Sequence, residues 1–474
     1  MLKKIRLLPL LAAAVVTSGC FTMAPKYERP EMPVPEEWTA PISEPARVGE
    51  DEAITALRWR EFVESPKLEQ LIELALSNNR DLRVAALNVD RARALYRIQR
   101  ADQLPSVDAG VQYRRERVPS ALAVPGREGI DEQYSASVGA AFEVDLFGRL
   151  RSLSRAALED FFAQESSRRS VHISLIAEVS QAFLVTANDL ALRELAEATA
   201  KNQQEWFGLT QERHRLGAAS GLELSQAETQ LETALADVAR YEGDVARDLN
   251  ALRVLVGSAI PSEILPASSD AQAALLNSVP VQLPSQVLLS RPDILAAEHA
   301  LRAANANIGA ARASFFPVIS LTGSGGYISD ELSGLFDSNI RTWSFVPQVS
   351  VPLFQGGRLR AGLDTAHVDR QIAVARYEQA IQIGFQEVSD ALALTGALSR
   401  QRMAQERLVN ASGRAFELSQ ARREAGQESY LILLDAQRSF YAAQQGLIAT
   451  RLAEQANLVT LYRALGGGWE EDAT

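Results

Sequence analysis

Cysteine is almost absent: Cys20 stands alone in 474 residues, so the chain has no intramolecular disulfide. Histidine is scarce as well. His172, His214, His299 and His367 are scattered without metal-ligand spacing, and each is expected at a surface or an interface. No His-Glu-x-x-His, Gly-x-Ser-x-Gly or phosphate-loop motif occurs, which leaves no candidate catalytic or metal-ligating residue and argues against an enzyme. Gly323-Ser-Gly-Gly326 falls in a predicted strand rather than before a helix, so it marks a place where bulky side chains do not fit, not a nucleotide site. Clustered cations are missing too. The formal net charge is -11, which argues against nucleic acid as a partner. After the first twenty residues no run of 18 apolar residues appears, so if the chain crosses a membrane it does so as β-strands.

What is present begins with a targeting segment. Lys3, Lys4 and Arg6 precede a ten-residue apolar core, Leu7 to Val16, too short for a permanent membrane helix. Thr17-Ser18-Gly19-Cys20 follows and resembles the lipobox of bacterial lipoproteins, with Thr17 where that box usually holds Leu. The resemblance implies a signal peptide over 1–19 and a lipid on the thiol of Cys20; no other cofactor is expected. Phe21 after the cysteine, rather than Asp, implies sorting to the outer membrane. Loss of residues 1–19 removes three cations and takes the charge from -11 to -14.

The remainder is written twice. Asp81 aligns with Asp293, Ala85 with Ala297 and Pro105 with Pro317, all 212 positions apart. Arg149-Leu150, Glu178-Val179-Ser180, Gly217, Ser220 and Gly257 recur 209 positions later as Arg358-Leu359, Glu387-Val388-Ser389, Gly426, Ser429 and Gly466. Chance does not hold register over more than a hundred residues, so one unit is duplicated. Repeat 1 spans 65–257 and repeat 2 spans 290–466. Residues 20–64 form a lipidated N-terminal segment and equatorial region, 258–289 an equatorial linker and 467–474 a tail. Each repeat reads as a helix (65–103; 290–314) closed by proline, a β-hairpin (107–144; 318–353), and a long helical hairpin (149–256; 358–465). The hairpin strands are 107–118, 133–144, 318–329 and 342–353, with alternation at period two.

The last helix of repeat 1 carries a seam: Leu224, Ala227, Leu231, Ala234, Val238, Tyr241, Val245, Leu249, Leu252 and Val256. The spacing is that of a coiled coil with one stutter. Repeat 2 matches it from Leu433 to Leu465 except at Glu454, where either Ala453 turns inward or the charge faces solvent. The predicted helices over 149–215 and 358–424 would each be about 100 Å long, which suits a strut, coiled coil or barrel stave rather than a globule. Four strands are too few to close a barrel, and an open sheet leaves two edges that invite pairing with other chains. Cyclic association cures this. Two chains would supply about eight strands and three about twelve; the sequence does not choose between them.

Phe142-Glu-Val-Asp-Leu-Phe-Gly-Arg-Leu-Arg151, Ser290-Arg-Pro-Asp293, Ala303-Ala-Asn-Ala-Asn-Ile-Gly-Ala-Ala-Arg312, Phe315-Phe-Pro-Val-Ile-Ser-Leu-Thr-Gly323 and Ala464-Leu-Gly-Gly-Gly-Trp469 resemble the TolC superfamily of outer-membrane efflux proteins, in its NodT-type lipoprotein branch. The resemblance covers about residues 20–470. It implies an α+β membrane protein with an internal twofold repeat. Three chains would share a twelve-stranded β-barrel, four strands each, continued by a twelve-helix periplasmic α-barrel with a small equatorial domain. It also implies a Gram-negative outer-membrane location, a passive exit duct for drugs or other small molecules, and three kinds of partner: sister subunits, a periplasmic adaptor, and an inner-membrane pump of the resistance-nodulation-division class. The membrane lipid itself is a fourth.

In such proteins adaptor contact and gate lie at the helical-hairpin tips. Carried over, the contact residues are Arg215, Gly217, Ser220 and Leu222, and Arg423, Gly426, Ser429 and Leu431. The candidate gate carboxylates are Glu223 and Asp435. A family gate arginine falls at Glu428, so the closing network here differs. These residues also have plain structural reasons. Gly217 and Gly426 permit positive φ at a helix end, Ser220 and Ser429 suit the next N-cap, and Glu223 complements a helix dipole. Two other functions fit the pattern less well: a duct for protein secretion, and a periplasmic lipoprotein scaffold that spans no membrane.

Overall fold

The computed structural model describes residues 22–38, 58–119, 129–273, 276 and 284–467. The signal segment, Cys20 and the tail from residue 468 lie outside the described residues. The chain forms two compact units, one from Met1–Glu31, Asn88–Glu165 and Ala296–Tyr377, the other from Met32–Leu87, Ser166–Leu295 and Glu378–Thr474. Each unit takes segments from both repeats.

The first unit holds one antiparallel sheet: β1 (Ser106–Val118), β2 (Gly129–Val144), β3 (Val318–Ser329) and β4 (Arg341–Ser350), in that spatial order. The two hairpins pair through β2 and β3, from Tyr134↔Ser329 to Val144↔Ile319. At the closest approach stands Gly326, where any Cβ would collide with the Ala136 carbonyl and Ser137 of β2. β1 and β4 each start one residue earlier than expected, and two ends differ by more. β2 starts at Gly129 rather than 133, because β1 continues to Val118 and supplies Gly129 with a partner. β4 stops at Ser350 rather than 353. Its last partner is Val318, the first strand residue after Pro317, so nothing is left to pair beyond it.

An extended N-terminal strap lies along α6 (Pro292–Ala313) in this unit. The Met23 carbonyl accepts from Arg312 at 3.2 Å and the Pro25 carbonyl from Asn305 at 2.8 Å. Gly309 lets the strap come close, since a Cβ there would sit 2.6 Å from the Ala24 nitrogen. The Arg302 guanidinium covers the Tyr27 ring at 5.0 Å. Tyr27 Oη and Arg29 both donate to Glu298, at 2.9 Å and 2.8 Å. The helix residues touched fall at 312, 309, 305, 302 and 298, one face at helical spacing. The lengths match. Six extended steps from Met23 to Arg29 cover about 20 Å, and fourteen helical steps cover about 21 Å. Glu298 is 2% exposed. Burial pushes its carboxyl up, but Arg29, Tyr27 and Arg302 outweigh that and hold it below the ordinary carboxylate value. Burial and the same carboxylate push the Tyr27 phenol up to about 12.

The second unit is helical. A short α1 (Trp59–Phe62) precedes α2 (Pro66–Asn78) and α3 (Arg80–Ala101). The sequence reads 65–103 as one helix; the structure breaks it at Asn79, which takes extended φ and ψ. Its amide explains the break. Oδ1 accepts from Leu82 N at 2.9 Å, capping α3, while Nδ2 donates to the Leu255 carbonyl at 2.7 Å. In repeat 2 the helix runs Pro292–Ala313 rather than 290–314, after a 3-10 turn over Ser285–Ser290.

The long helices α4 (Arg149–Arg215) and α7 (Arg358–Glu424) have the bounds the repeat implies, 67 residues each. Their partners are α5 (Gly221–Val256) and α8 (Tyr430–Ala464). In α5 none of the ten seam positions is exposed, and Ala227, Leu231, Ala234, Tyr241, Val245, Leu252 and Val256 are buried. The break in the second seam has its own solution. Glu454 neither yields to Ala453 nor faces open solvent; it pairs with Arg402 of α7 at 2.8 Å. One turn on, buried Asn457 donates to the Ala391 carbonyl and to Thr395, both at 3.0 Å. Two polar pins thus fix the register of α8 on α7, where an all-apolar seam would leave it free to slide.

Candidate functional site

The two hairpin tips are built alike. At the first, Gly217 has φ +74°, Gly217 N donates to the His214 carbonyl at 2.9 Å, and Ala218 N to the Arg213 carbonyl at 2.7 Å. At the second, Gly426 has φ +71°, with Gly426 N on Arg423 at 3.0 Å and Gln427 N on Arg422 at 2.9 Å. Such bonds close a helix C-terminus with a left-handed residue, which costs a side-chain-bearing residue about 1 kcal/mol. Nothing lies within 4 Å of either glycine's missing Cβ, so conformation and not space demands glycine.

The serines part ways. Ser220 caps α5 reciprocally: its Oγ accepts from Glu223 N at 3.2 Å and its own N–H donates to Glu223 at 3.0 Å. Ser429, expected to do the same, makes no side-chain cap. Three residues on stands Ile432, which cannot return the bond. Leu222 and Leu431 are 69% and 64% exposed, and Leu216 and Ile432 join them in an apolar fringe around both turns.

The structure joins a contact residue to a gate residue. Arg423 of the second tip donates to Glu223 of the first at 3.2 Å, half-buried on both sides. Arg423 also holds the Glu428 carbonyl at 3.2 Å. Glu428 itself pairs with Arg422 at 3.1 Å. Arg215 pairs within its own helix with Glu212. Asp435 stands apart: it is exposed and meets no cation among the described residues. Glu223 and Asp435 therefore do not share one arrangement.

Behind the tips lies a small core that sequence reasoning missed. Tyr430 stacks on Trp206 with ring centroids 5.8 Å apart, and Ala227, Leu433, Leu434, Phe207 and Phe416 pack around them. Burial raises the Tyr430 phenol above its ordinary value. All four long helices meet here. The repeat could have found part of it, because Phe207 and Phe416 stand 416 − 207 = 209 positions apart. Farther along, α5 and α8 are bonded side by side, Arg438 to Gln230 at 3.0 Å, Tyr441 to Asp237 at 3.0 Å and Gln445 to Tyr241 at 3.2 Å.

The sheet supplies the other functional surface. Its register sorts side chains onto two faces. One face carries Val107, Ala109, Val111 and Tyr113; Tyr134, Val138 and Phe142; Ile319, Leu321 and Tyr327; and Trp343, Phe345 and Val349. The opposite face is mainly polar, with Ser106, Asp108 and Gln112; Ser135 and Ser137; Ser320, Thr322 and Ser324; and Ser344 and Gln348, beside Ile328 and Val346. Ser324 and Ser344 bond across it at 2.8 Å. Both faces are open to the surroundings, and several large apolar side chains are among the exposed ones; Trp343 is 81% open. A sheet that turns apolar side chains outward and keeps hydroxyls opposite is built for lipid on one side and water on the other.

The model of the outer membrane efflux protein family matches residues 71–258 and 283–467. The chain belongs to the outer membrane efflux protein family. Two Pseudomonas putida members, the toluene efflux pump outer membrane protein TtgC and the antibiotic efflux pump outer membrane protein ArpC, are each 46% identical over 468 residues, covering 98% of this chain and 96% of theirs. The crystal structure of the open state of the Neisseria gonorrhoeae MtrE outer membrane channel superposes with a TM-score of 0.84 at 36% identity, over 94% of this efflux protein and 98% of MtrE. The efflux protein is thus an outer-membrane channel component, and its two-faced sheet has the chemistry such a location requires.

Proposed function

We propose that three copies of the chain form the exit duct of a tripartite efflux assembly, passing antibiotics, aromatic solvents or similar small molecules to the exterior. The observation that carries this reading is the sheet. It is apolar on one face, polar on the other, and its order leaves β1 and β4 each with an unpaired edge. Joined edge to edge, three sheets give about twelve strands, enough to enclose water rather than a packed interior. The helical hairpins then supply twelve staves of a periplasmic tunnel. The tips, with Leu216, Leu222, Leu431 and Ile432 exposed, offer apolar anchors to the helices of a periplasmic adaptor. That adaptor links the duct to an inner-membrane pump of the resistance-nodulation-division class. A lipid on Cys20 adds a second hold on the membrane.

At the closed end, Glu223 and Arg423 act as a latch between the two hairpins of one chain, and three exposed Asp435 carboxylates form an acidic ring that favours cations. Purified protein reconstituted into a planar bilayer is expected to migrate as a trimer and give discrete, cation-preferring conductance. Asp435→Asn is expected to reduce that preference without changing the trimer. A monomer with no conductance would sink the duct.

A further inference from the structure

The apolar face of the sheet does not end at its aromatic residues. On β1 the face continues past Tyr113 to Arg115 and Arg117; on β4 it begins with Arg341, opposite Tyr327. Tyr113 stacks on Tyr134 at 4.7 Å, and Trp343 stands beside Gly325 one step in from Arg341. Aromatic residues at this place in a membrane sheet mark the headgroup level. The three arginines lie just beyond it, at the end where the turns of both hairpins lie.

The three differ in their partners. Arg115 is paired with Glu132 at 3.0 Å. Arg117 faces Ile130 across the ladder, and Arg341 lies over the Tyr327 ring at 5.9 Å. Among the described residues neither Arg117 nor Arg341 has a carboxylate partner, and both are exposed. On this face of the four strands, among the described residues, three guanidiniums thus meet one carboxylate, Glu132. The other face of β1 differs: Arg114 is paired with Glu116 at 2.5 Å.

We propose that Arg117 and Arg341 form a binding site for the phosphates of the outer-leaflet glycolipid. The inference rests on the barrel reading above. In that reading β1 of one subunit adjoins β4 of the next, which sets the two strands that carry these arginines side by side. With the helices on the periplasmic side, the hairpin turns face outward, so the anionic headgroups at this level are those of the phosphorylated outer-leaflet lipid. The planar guanidinium fork matches phosphate oxygens two at a time, and the aromatic belt beneath holds the acyl region in register. Each subunit junction would carry one site.

The test uses the full-length trimer in detergent, titrated with lipid A, with lipid A stripped of its phosphates, and with phosphatidylcholine, and bound lipid is counted by native mass spectrometry. The wild type is expected to prefer lipid A over both comparators. Arg117→Gln and Arg341→Gln are each expected to cut that preference about fivefold, and together roughly 25-fold. Arg114→Gln, an equal charge change on the polar face, is expected to leave it unchanged. Retention of the preference in the double variant, or equal loss in Arg114→Gln, would overturn the site. Conductance in phosphatidylcholine bilayers, recorded for the same variants, reports on the barrel separately. Conducting trimers without lipid A preference refute the site alone, and absence of conductance in the wild type refutes the barrel.

Discussion

Asp248 of α5 shows how one residue here records its surroundings. Burial, then the neighbouring carboxylate of Asp189 on α4, push its carboxyl from 3.8 up to about 6. Asp244 adds to the rise and Arg247 opposes it. An acid whose folded value is raised favours the folded state while it is protonated. Its contribution is fully present below the ordinary carboxyl value and is lost as pH climbs through about 6. Asp248→Asn is therefore expected to stabilise the protein at pH 8 by on the order of 1 kcal/mol, after discounting for solvent screening, and to make no difference at pH 4. Thermal unfolding at the two values checks this; an equal gain at both would remove the titration from the explanation. No spacing rule picks out Asp248, because its partner lies on another helix. Asn79 was more legible. An asparagine pair before Arg80 is N-cap chemistry, and the contact with Leu255 shows why the break wins.

Among elements, the long helices and the strand pairs were readable because duplication doubled every signal. Gly217 and Gly426, φ +74° and +71°, are one feature seen twice. What the repeat could not show is where its copies differ, and the working parts of the tips are such differences. Ser220 caps and Ser429 does not, and Glu223 of the first tip is held by Arg423 of the second. Glutamine at 223 keeps the capping bond while removing the charge, so it separates the two roles. Glu223→Gln is expected to loosen the tips by about 0.5–1 kcal/mol, Arg423→Gln by somewhat more because its bond to the Glu428 carbonyl is lost as well, and the double variant no further than Arg423→Gln. Faster amide hydrogen exchange around residues 426–431 in Glu223→Gln, and equal exchange in Arg423→Gln and the double variant, would be the signature. Additive effects in the double variant would show that the pair is not coupled.

For the whole molecule, the sequence pointed to an open sheet that needs sister chains, and the family places that chain in the outer membrane. Sequence physics did not select three subunits over two, because strand edges carry no count. Cys20 lies outside the described residues, and its lipidation is tested chemically. Palmitate labelling of the wild type and its loss in Cys20→Ser are the expected results, and a labelled variant would disprove the anchor.

The strap over residues 23–29 has a mechanical consequence. It runs antiparallel to α6, so tension applied at the N-terminal end reaches the hydroxyl pair of Thr22 and Ser152 and the bond between Met23 and Arg312 first and the Glu298 cluster last. Contacts along the way would fail one at a time, as in peeling, while the best-buried cluster still grips. Pulled from that end, the strap would therefore release several residues before the grip on Glu298 fails.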